Sequence, residues 1–72
     1  MDFDIWLNLD PWRIGCWIDP LPDGSFRGRL TAGRLVGEVW EPATKEFVFE
    51  PTFPDRTLAV AVMVAKACEI YG

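Results

Sequence analysis

Residues 55–72 read DRTLAVAVMVAKACEIYG, and this segment decides the fold because it is the stretch of the chain most typical of a helix. Asp55 is a suitable N-cap, as is Thr52 if Pro54 takes the first helical position. Apolar residues occupy a wide arc beside a narrow polar stripe, which predicts an amphipathic α-helix over about residues 55–71. The β-branched valines lower helix propensity, so a strand over about residues 58–64 is the alternative.

Residues 1–53 show the alternation and turn signals of β-strands. Phe3, Ile5 and Leu7 recur at every second position, which is typical of a strand with one buried face. The same reasoning predicts strands over about residues 12–18, 25–31, 34–40 and 46–50. The short connections, including a hairpin turn at Ala32-Gly33, imply an antiparallel meander. We therefore predict an α+β fold in a single domain over residues 1–72, with four to five strands in about residues 2–50 followed by the helix.

A single helix covers only one face of a sheet, so the two faces are expected to differ in composition. The more aliphatic face is assigned to the core: Phe3, Ile5, Leu7, Ile14, Cys16, Ile18, Phe26, Leu30, Leu35, Val39, Phe47 and Phe49. The opposite face carries indoles and guanidinium groups, and we name it the Trp/Arg face: Trp6, Trp17, Trp40, Arg13, Arg27, Arg29 and Arg34. Tryptophan and arginine are enriched at the energetically important positions of protein interfaces.

Three interpretations of the Trp/Arg face stay open. It binds a protein partner, since exposed aromatic patches commonly mark contact sites. Alternatively, the indoles and guanidinium groups pack on each other and bind nothing. A one-residue slip in register, through a bulge at Gly15, Gly28 or Gly37, would instead bury the indoles.

The charge balance favours a basic partner surface. The chain has eleven acidic and seven basic residues, for a net charge of −4. This balance argues against a partner that mainly presents a phosphate backbone, and it also helps to keep a hydrophobic small protein in solution. We name the acidic side chains expected near turns and strand ends the acidic rim: Asp2, Asp4, Asp10, Glu38, Glu41, Glu46 and Glu50.

The composition argues against several chemistries. The chain has no histidine, which removes the commonest general base and the commonest metal ligand at neutral pH. Ser25 follows a turn glycine and has no histidine to activate it. Cys16 and Cys68 are placed on core faces, where free thiols are expected rather than a bridge, and two cysteines are too few for a zinc site. We expect no catalysis, no cofactor and no metal.

These observations predict a small acidic protein-binding module, most simply an inhibitor or modulator that covers a site on a larger protein complex. If the acidic rim makes the contact, that site is basic, such as a nucleic-acid channel; short acidic inhibitors of phages and mobile elements are an analogy of size and charge only. The alternatives are a structural subunit forming a symmetric homodimer and a single-stranded nucleic-acid binder, the latter disfavoured by the net charge. The longest apolar run, residues 58–65, has eight residues, and the N-terminus lacks the pattern of a signal peptide. We therefore expect a cytoplasmic protein that does not enter a membrane.

Overall fold

The computed structural model describes residues 3–72 and contains one antiparallel sheet and one C-terminal helix. The strands are β1 (Ile5–Leu9), β2 (Trp12–Pro20), β3 (Phe26–Val36), β4 (Val39–Pro42) and β5 (Phe47–Val48), and the helix α1 spans Arg56–Tyr71. The predicted α+β class, the antiparallel meander and the C-terminal helix are therefore confirmed, and the alternative of a strand over residues 58–64 is wrong.

The sheet is built around β3, which is its longest strand. The strand order is β1-β2-β3-β4, and β5 also pairs with β3. Because β2 occupies one edge of β3, both β4 and β5 lie along the other edge, followed by a single bridge between Phe26 and Phe53. That side of β3 is therefore covered by three short segments rather than by one continuous strand.

The hairpin between β3 and β4 differs from the prediction. The predicted turn at Ala32-Gly33 is wrong, because β3 continues through both residues to Val36. The chain reverses between Val36 and Val39, with Gly37 as the first of two turn residues at a φ of 66°. A glycine in that place adopts a positive φ without steric cost, which is why this turn suits a two-residue hairpin.

The helix begins and ends at recognisable caps and packs on β2 and β3. The Asp55 carboxylate accepts a hydrogen bond from the Leu58 backbone N–H at 2.8 Å, which confirms the predicted N-cap. The Gly72 backbone N–H donates to the Cys68 carbonyl oxygen at 2.9 Å at the other end. Both bonds satisfy backbone groups that a helix terminus otherwise leaves without partners.

The core lies between the helix and the middle of the sheet. The helix contributes Ala59, Met63 and Ala67, which recur every four residues and are fully buried. The sheet contributes its own buried side chains: Ile14, Cys16, Ile18, Leu30 and Ala32. Met63 lies directly against Gly28, where a Cβ atom would overlap the Met63 side chain. The small residues on both layers allow the helix to approach the sheet closely.

Both thiols are free, as expected, but only one of them is in the core. Cys16 is buried in β2, whereas Cys68 is exposed on the outer side of α1, so the predicted core position of Cys68 is wrong. Within residues 3–72, no helix combines the length and the apolar character needed to cross a lipid bilayer.

Candidate functional site

The sheet face opposite α1, which we name the open face, carries the three predicted indoles. Trp6 is paired in register with Gly15, Trp17 with Arg29, and Trp40 with Leu35. Residues that are paired in register point to the same face of a sheet, so these pairs all lie on the face opposite the core. No helix or strand within residues 3–72 packs over this face. The predicted placement of Trp6, Trp17 and Trp40 away from the helix is therefore confirmed.

Three of the four predicted arginines lie on the open face, and Arg34 does not. Arg13, Arg27 and Arg29 have the same orientation in register as the indoles. Arg34 points to the helix side, where its guanidinium carbon lies 4.8 Å from the centre of the Trp12 ring. The error follows from the misplaced turn, because a β3 strand that continues through Gly33 reverses the predicted faces of the residues after it.

The predicted core positions of Leu35 and Val39 are also wrong. Both were assigned to the core, yet they are 49% and 63% exposed near the end of the β3–β4 hairpin. Residues of β3 after Gly33 pair with β4 and no longer with β2, so the hairpin extends beyond the rest of the sheet. This extension leaves aliphatic side chains in solvent.

Phe3 also lies on the open face, although its alternation with Ile5 placed it in the core. The chain bends at Asp4, whose carboxylate accepts a hydrogen bond from the Ile18 backbone N–H at 2.7 Å. The Phe3 ring then lies flat over Gly15, where a Cβ atom would overlap it. A glycine at this position is therefore required for the close approach of the ring to the sheet.

Phe3 is the centre of an aromatic cluster that joins the three indoles. Its ring centroid lies 4.6 Å from that of Trp17 and 5.5 Å from those of both Trp6 and Trp40. The Trp6 and Trp40 rings are 5.9 Å apart and meet at 67°. These separations and angles are favourable for aromatic pairs, each of which contributes about 0.5–1.5 kcal/mol beyond its burial.

Trp40 is fixed at its polar end as well as through its ring. The indole N–H donates a hydrogen bond to the Arg13 carbonyl oxygen at 3.0 Å, across the intervening strand β3. The indole lies over Gly33, where a Cβ atom would overlap it. Gly33 is thus a position for close packing within a strand and not the turn residue that the sequence suggested.

Arg29 covers Trp17 and is held by two carboxylates. Its guanidinium carbon lies 4.5 Å from the Trp17 ring centre. Two hydrogen bonds join it to Asp19, and one of 3.2 Å joins it to Glu46. The bonds to Asp19 raise the pKa of Arg29 above its ordinary value, with a smaller contribution from Glu46. The Trp17 ring and the Arg29 guanidinium are therefore both engaged in contacts within the fold.

The remaining open-face arginines differ in their partners. Arg13 forms a 2.7 Å ion pair with Asp10 in the β1–β2 turn. Arg27 stands opposite Asp19 in register, but its buried Nε makes no hydrogen bond with any part of the chain that the structure describes. Asp19 instead bonds to Arg29. Arg27 is thus the open-face arginine without an ion-pair partner among the described residues, whereas Arg13 and Arg29 are paired with carboxylates.

A groove opens between Trp6 and the base of the β3–β4 hairpin. It has a volume of about 540 Å³ and is lined by Phe3, Trp6, Glu38, Val39 and Trp40, and we name it the indole groove. Trp6 is 44% exposed at its edge, whereas Trp17 and Trp40 are half-buried. The volume falls within the range of pockets that bind small ligands.

The acidic rim does not form one uniform surface. Asp4 pairs with Arg56 at 3.5 Å, and Asp10 and Glu46 pair with open-face arginines, so these carboxylates have roles within the fold. Glu38 lies at the hairpin turn beside the indole groove, and Glu41 follows in β4. Glu50 is exposed after β5, and Asp2 lies outside the described residues. Glu38 is therefore the acidic-rim residue that lines the indole groove, whereas Glu41 is paired in register with Arg34 on the helix side.

The remaining reactive groups are not arranged for chemistry in the described part of the chain. Burial, followed by the charges of Asp4 and Asp19, raises the pKa of the Cys16 thiol to about 11, so this thiol stays protonated at neutral pH. Across residues 3–72, no three cysteine or carboxylate side chains are close enough together to hold a metal ion.

Sequence reasoning found the indoles of this site and missed Phe3, Leu35 and Val39. The Gly37-Glu38 pair could have predicted the exposure of Leu35 and Val39, because a turn at this pair exposes the aliphatic residues on both sides of it. A comparison of the chain with models of protein families, with characterised proteins and with solved structures finds no match.

Proposed function

We propose that this chain is a protein-binding module that contacts its partner through the indole groove and the end of the β3–β4 hairpin. The observation that carries this proposal is the indole groove itself: an apolar depression of about 540 Å³ on a sheet face that no other element of residues 3–72 covers. Trp6, Leu35, Val36 and Val39 are between 44% and 63% exposed around it. A concentration of exposed apolar side chains on a small protein is typical of a contact surface.

The arrangement of charge supports a protein partner over single-stranded nucleic acid. Binding to a phosphate backbone depends on lysine and arginine side chains that are available to neutralise it. Here Arg29 is engaged by two carboxylates and Arg13 by one, so that Arg27 alone of the open-face arginines has no ion pair within the described residues. Glu38 adds negative charge at the groove. An inhibitor or modulator that covers a basic site on a larger protein is the form of this function that the charge favours.

Site-specific crosslinking in the source organism tests the proposal. A photoreactive p-benzoylphenylalanine at Leu35 samples the hairpin, and the same residue at Leu58 samples the helix; the two leucines are 49% and 43% exposed. We expect a specific protein to be crosslinked from Leu35 and not from Leu58. Crosslinking from Leu58 alone would contradict the proposed surface, and crosslinking of the chain to its own copies would support the homodimer instead.

Binding to the purified partner then measures the contribution of the groove. Trp6→Ala is expected to weaken the affinity by about tenfold or more, since a buried tryptophan at an interface commonly contributes that much. Leu58→Ala is the matched control, because Leu58 and Trp6 are equally exposed at 43% and 44% but lie on opposite layers. Equal losses from both substitutions would show that the groove has no special role.

A further inference from the structure

We infer that the indole groove binds an arginine side chain of the protein partner, with the guanidinium stacked on Trp6 or Trp40 and paired with Glu38. This inference rests on the proposed function and specifies the chemistry of the partner. It is based on a difference among the four indoles of the chain: two are covered by an arginine of the same chain and two are not.

The first pair of indoles is covered by guanidinium groups of the same chain. Arg29 lies 4.5 Å from the centre of the Trp17 ring, and Arg34 lies 4.8 Å from that of Trp12. On Trp17 the guanidinium is further held by carboxylates at the edge of the ring. Indole, guanidinium and carboxylate together form a stable unit, because the ring face is electronegative and the planar cation bonds to the acid in its own plane.

The second pair, Trp6 and Trp40, has the indole rings and a nearby carboxylate but no guanidinium group. The cation–π contacts within residues 3–72 involve Trp12, Trp17 and Phe49, and neither Trp6 nor Trp40. Glu38 lines the same groove as both rings. The chain therefore presents electronegative ring faces beside a carboxylate, without an arginine or lysine of its own described residues placed against them.

The geometry and charge around the groove favour a guanidinium over other groups. The Trp6 and Trp40 rings contact each other at 67°, and Trp6 is still 44% exposed, so a planar cation can stack on the part of the Trp6 ring that Phe3 and Trp40 leave open. Arg13, whose backbone carbonyl accepts the hydrogen bond from the Trp40 indole, has its guanidinium paired with Asp10. The exposed Val39 beside the groove suits the aliphatic part of an arginine side chain, which packs against apolar surface.

Matched peptides test this inference directly. The probes are the blocked tripeptides acetyl-Leu-Arg-Leu-amide, its citrulline counterpart and its lysine counterpart; citrulline has nearly the shape of arginine but no charge. Titrations at low salt are followed through the ¹⁵N–¹H signals of the four indole N–H groups. Trp12 and Trp17, which the fold already covers with arginine, serve as internal controls.

We expect the arginine peptide to shift the Trp6 and Trp40 signals and to bind about three- to thirtyfold more tightly than the citrulline peptide, the range given by cation–π interactions from exposed to desolvated sites. Glu38→Gln should reduce this preference at least twofold. Glu50→Gln removes the same charge from an exposed residue outside the groove and should not change it. Both substitutions are at exposed positions and leave the core intact.

Three results would overturn the inference: equal binding of the arginine and citrulline peptides, equal binding of the lysine peptide, or shifts spread evenly over all four indoles. If a crosslinked partner depends on Trp6 while arginine and citrulline bind equally, the inference fails and the proposed function stands. If Trp6 has no effect on partner binding while the arginine peptide binds selectively, the proposed function fails and the groove is a guanidinium site of another use.

Discussion

Gly15→Ala tests whether the aromatic cluster depends on the close approach of Phe3 to the sheet. A Cβ atom at Gly15 would overlap the Phe3 ring, to which its three nearest atoms all belong. The ring must shift, and overpacking of this kind costs about 1–3 kcal/mol. The largest possible cost is that of displacing Phe3 completely. Displacement would remove the contacts of Phe3 with the three indoles of the cluster. We therefore expect Gly15→Ala to destabilise the fold by about 1–3 kcal/mol and no more than Phe3→Ala.

The double mutant separates this explanation from a general intolerance of alanine in β2. When Phe3 is already alanine, the overlap is gone, and replacing a strand glycine should be neutral or should stabilise by up to about 1 kcal/mol. Urea and thermal denaturation followed by circular dichroism measure both effects, since 1 kcal/mol shifts the Tm of a domain this small by about 4–8 °C. An equal cost of Gly15→Ala in both backgrounds would refute the reasoning.

Three further predictions concern the core, the helix cap and the thiols. Met63→Ala removes a fully buried side chain and should lower the free energy of unfolding by about 2–5 kcal/mol, which a thermal melt should show as a much lower Tm. Asp55→Ala should lower the free energy of unfolding in urea by about 0.5–2 kcal/mol through loss of the bond to the Leu58 N–H, whereas Asp55→Asn should retain most of it. Because the pKa of Cys16 is raised from 9.0 to about 11, the folded state keeps a proton that the unfolded state loses, so stability should fall as the pH rises from 9 to 11, by at most about 1.4 kcal/mol per pH unit. Cys16→Ala should remove this part of the pH dependence in denaturation experiments, and mass spectrometry after brief alkylation of the wild type should find Cys68 modified and Cys16 protected.

The sequence predicted the elements of the fold because each of them has a local cause. Strand alternation, the prolines between the sheet and the helix, and the Asp55 cap act over a few residues, and all of them are retained in the structure. The placement of Trp6 and Trp17 followed from the same alternation in β1 and β2, whereas Trp40 was assigned from a single strand over residues 34–40 that the turn after Val36 divides. Local patterns of this kind need no knowledge of the tertiary contacts.

The errors arose at Gly33 and at Asp4, where a tertiary contact decides the local structure. Gly33 was read as a turn residue, but it is a strand residue on which the Trp40 ring packs, and the shift moved Arg34 and Leu35 to the opposite faces. Phe3 was misplaced because the Asp4 carboxylate bonds to a backbone group of β2, which bends the chain before β1 begins. Both contacts join residues that only the folded sheet brings together, so the alternation within one strand does not predict them.

The two outer edges of the sheet differ in their capacity to recruit another chain. Opposite β1, the edge is divided among β4, β5 and the bridge at Phe53, and such short lengths are poor templates for strand addition. The β1 edge is continuous over Ile5–Leu9 and contains neither proline nor lysine. An antiparallel pairing of two β1 strands centred on Leu7 would set Asp4 of each copy opposite Asp10 of the other, and like charges opposed in this way destabilise paired strands. The acids at the ends of β1 thus discourage two copies of the chain from joining their sheets through the edge most able to support it.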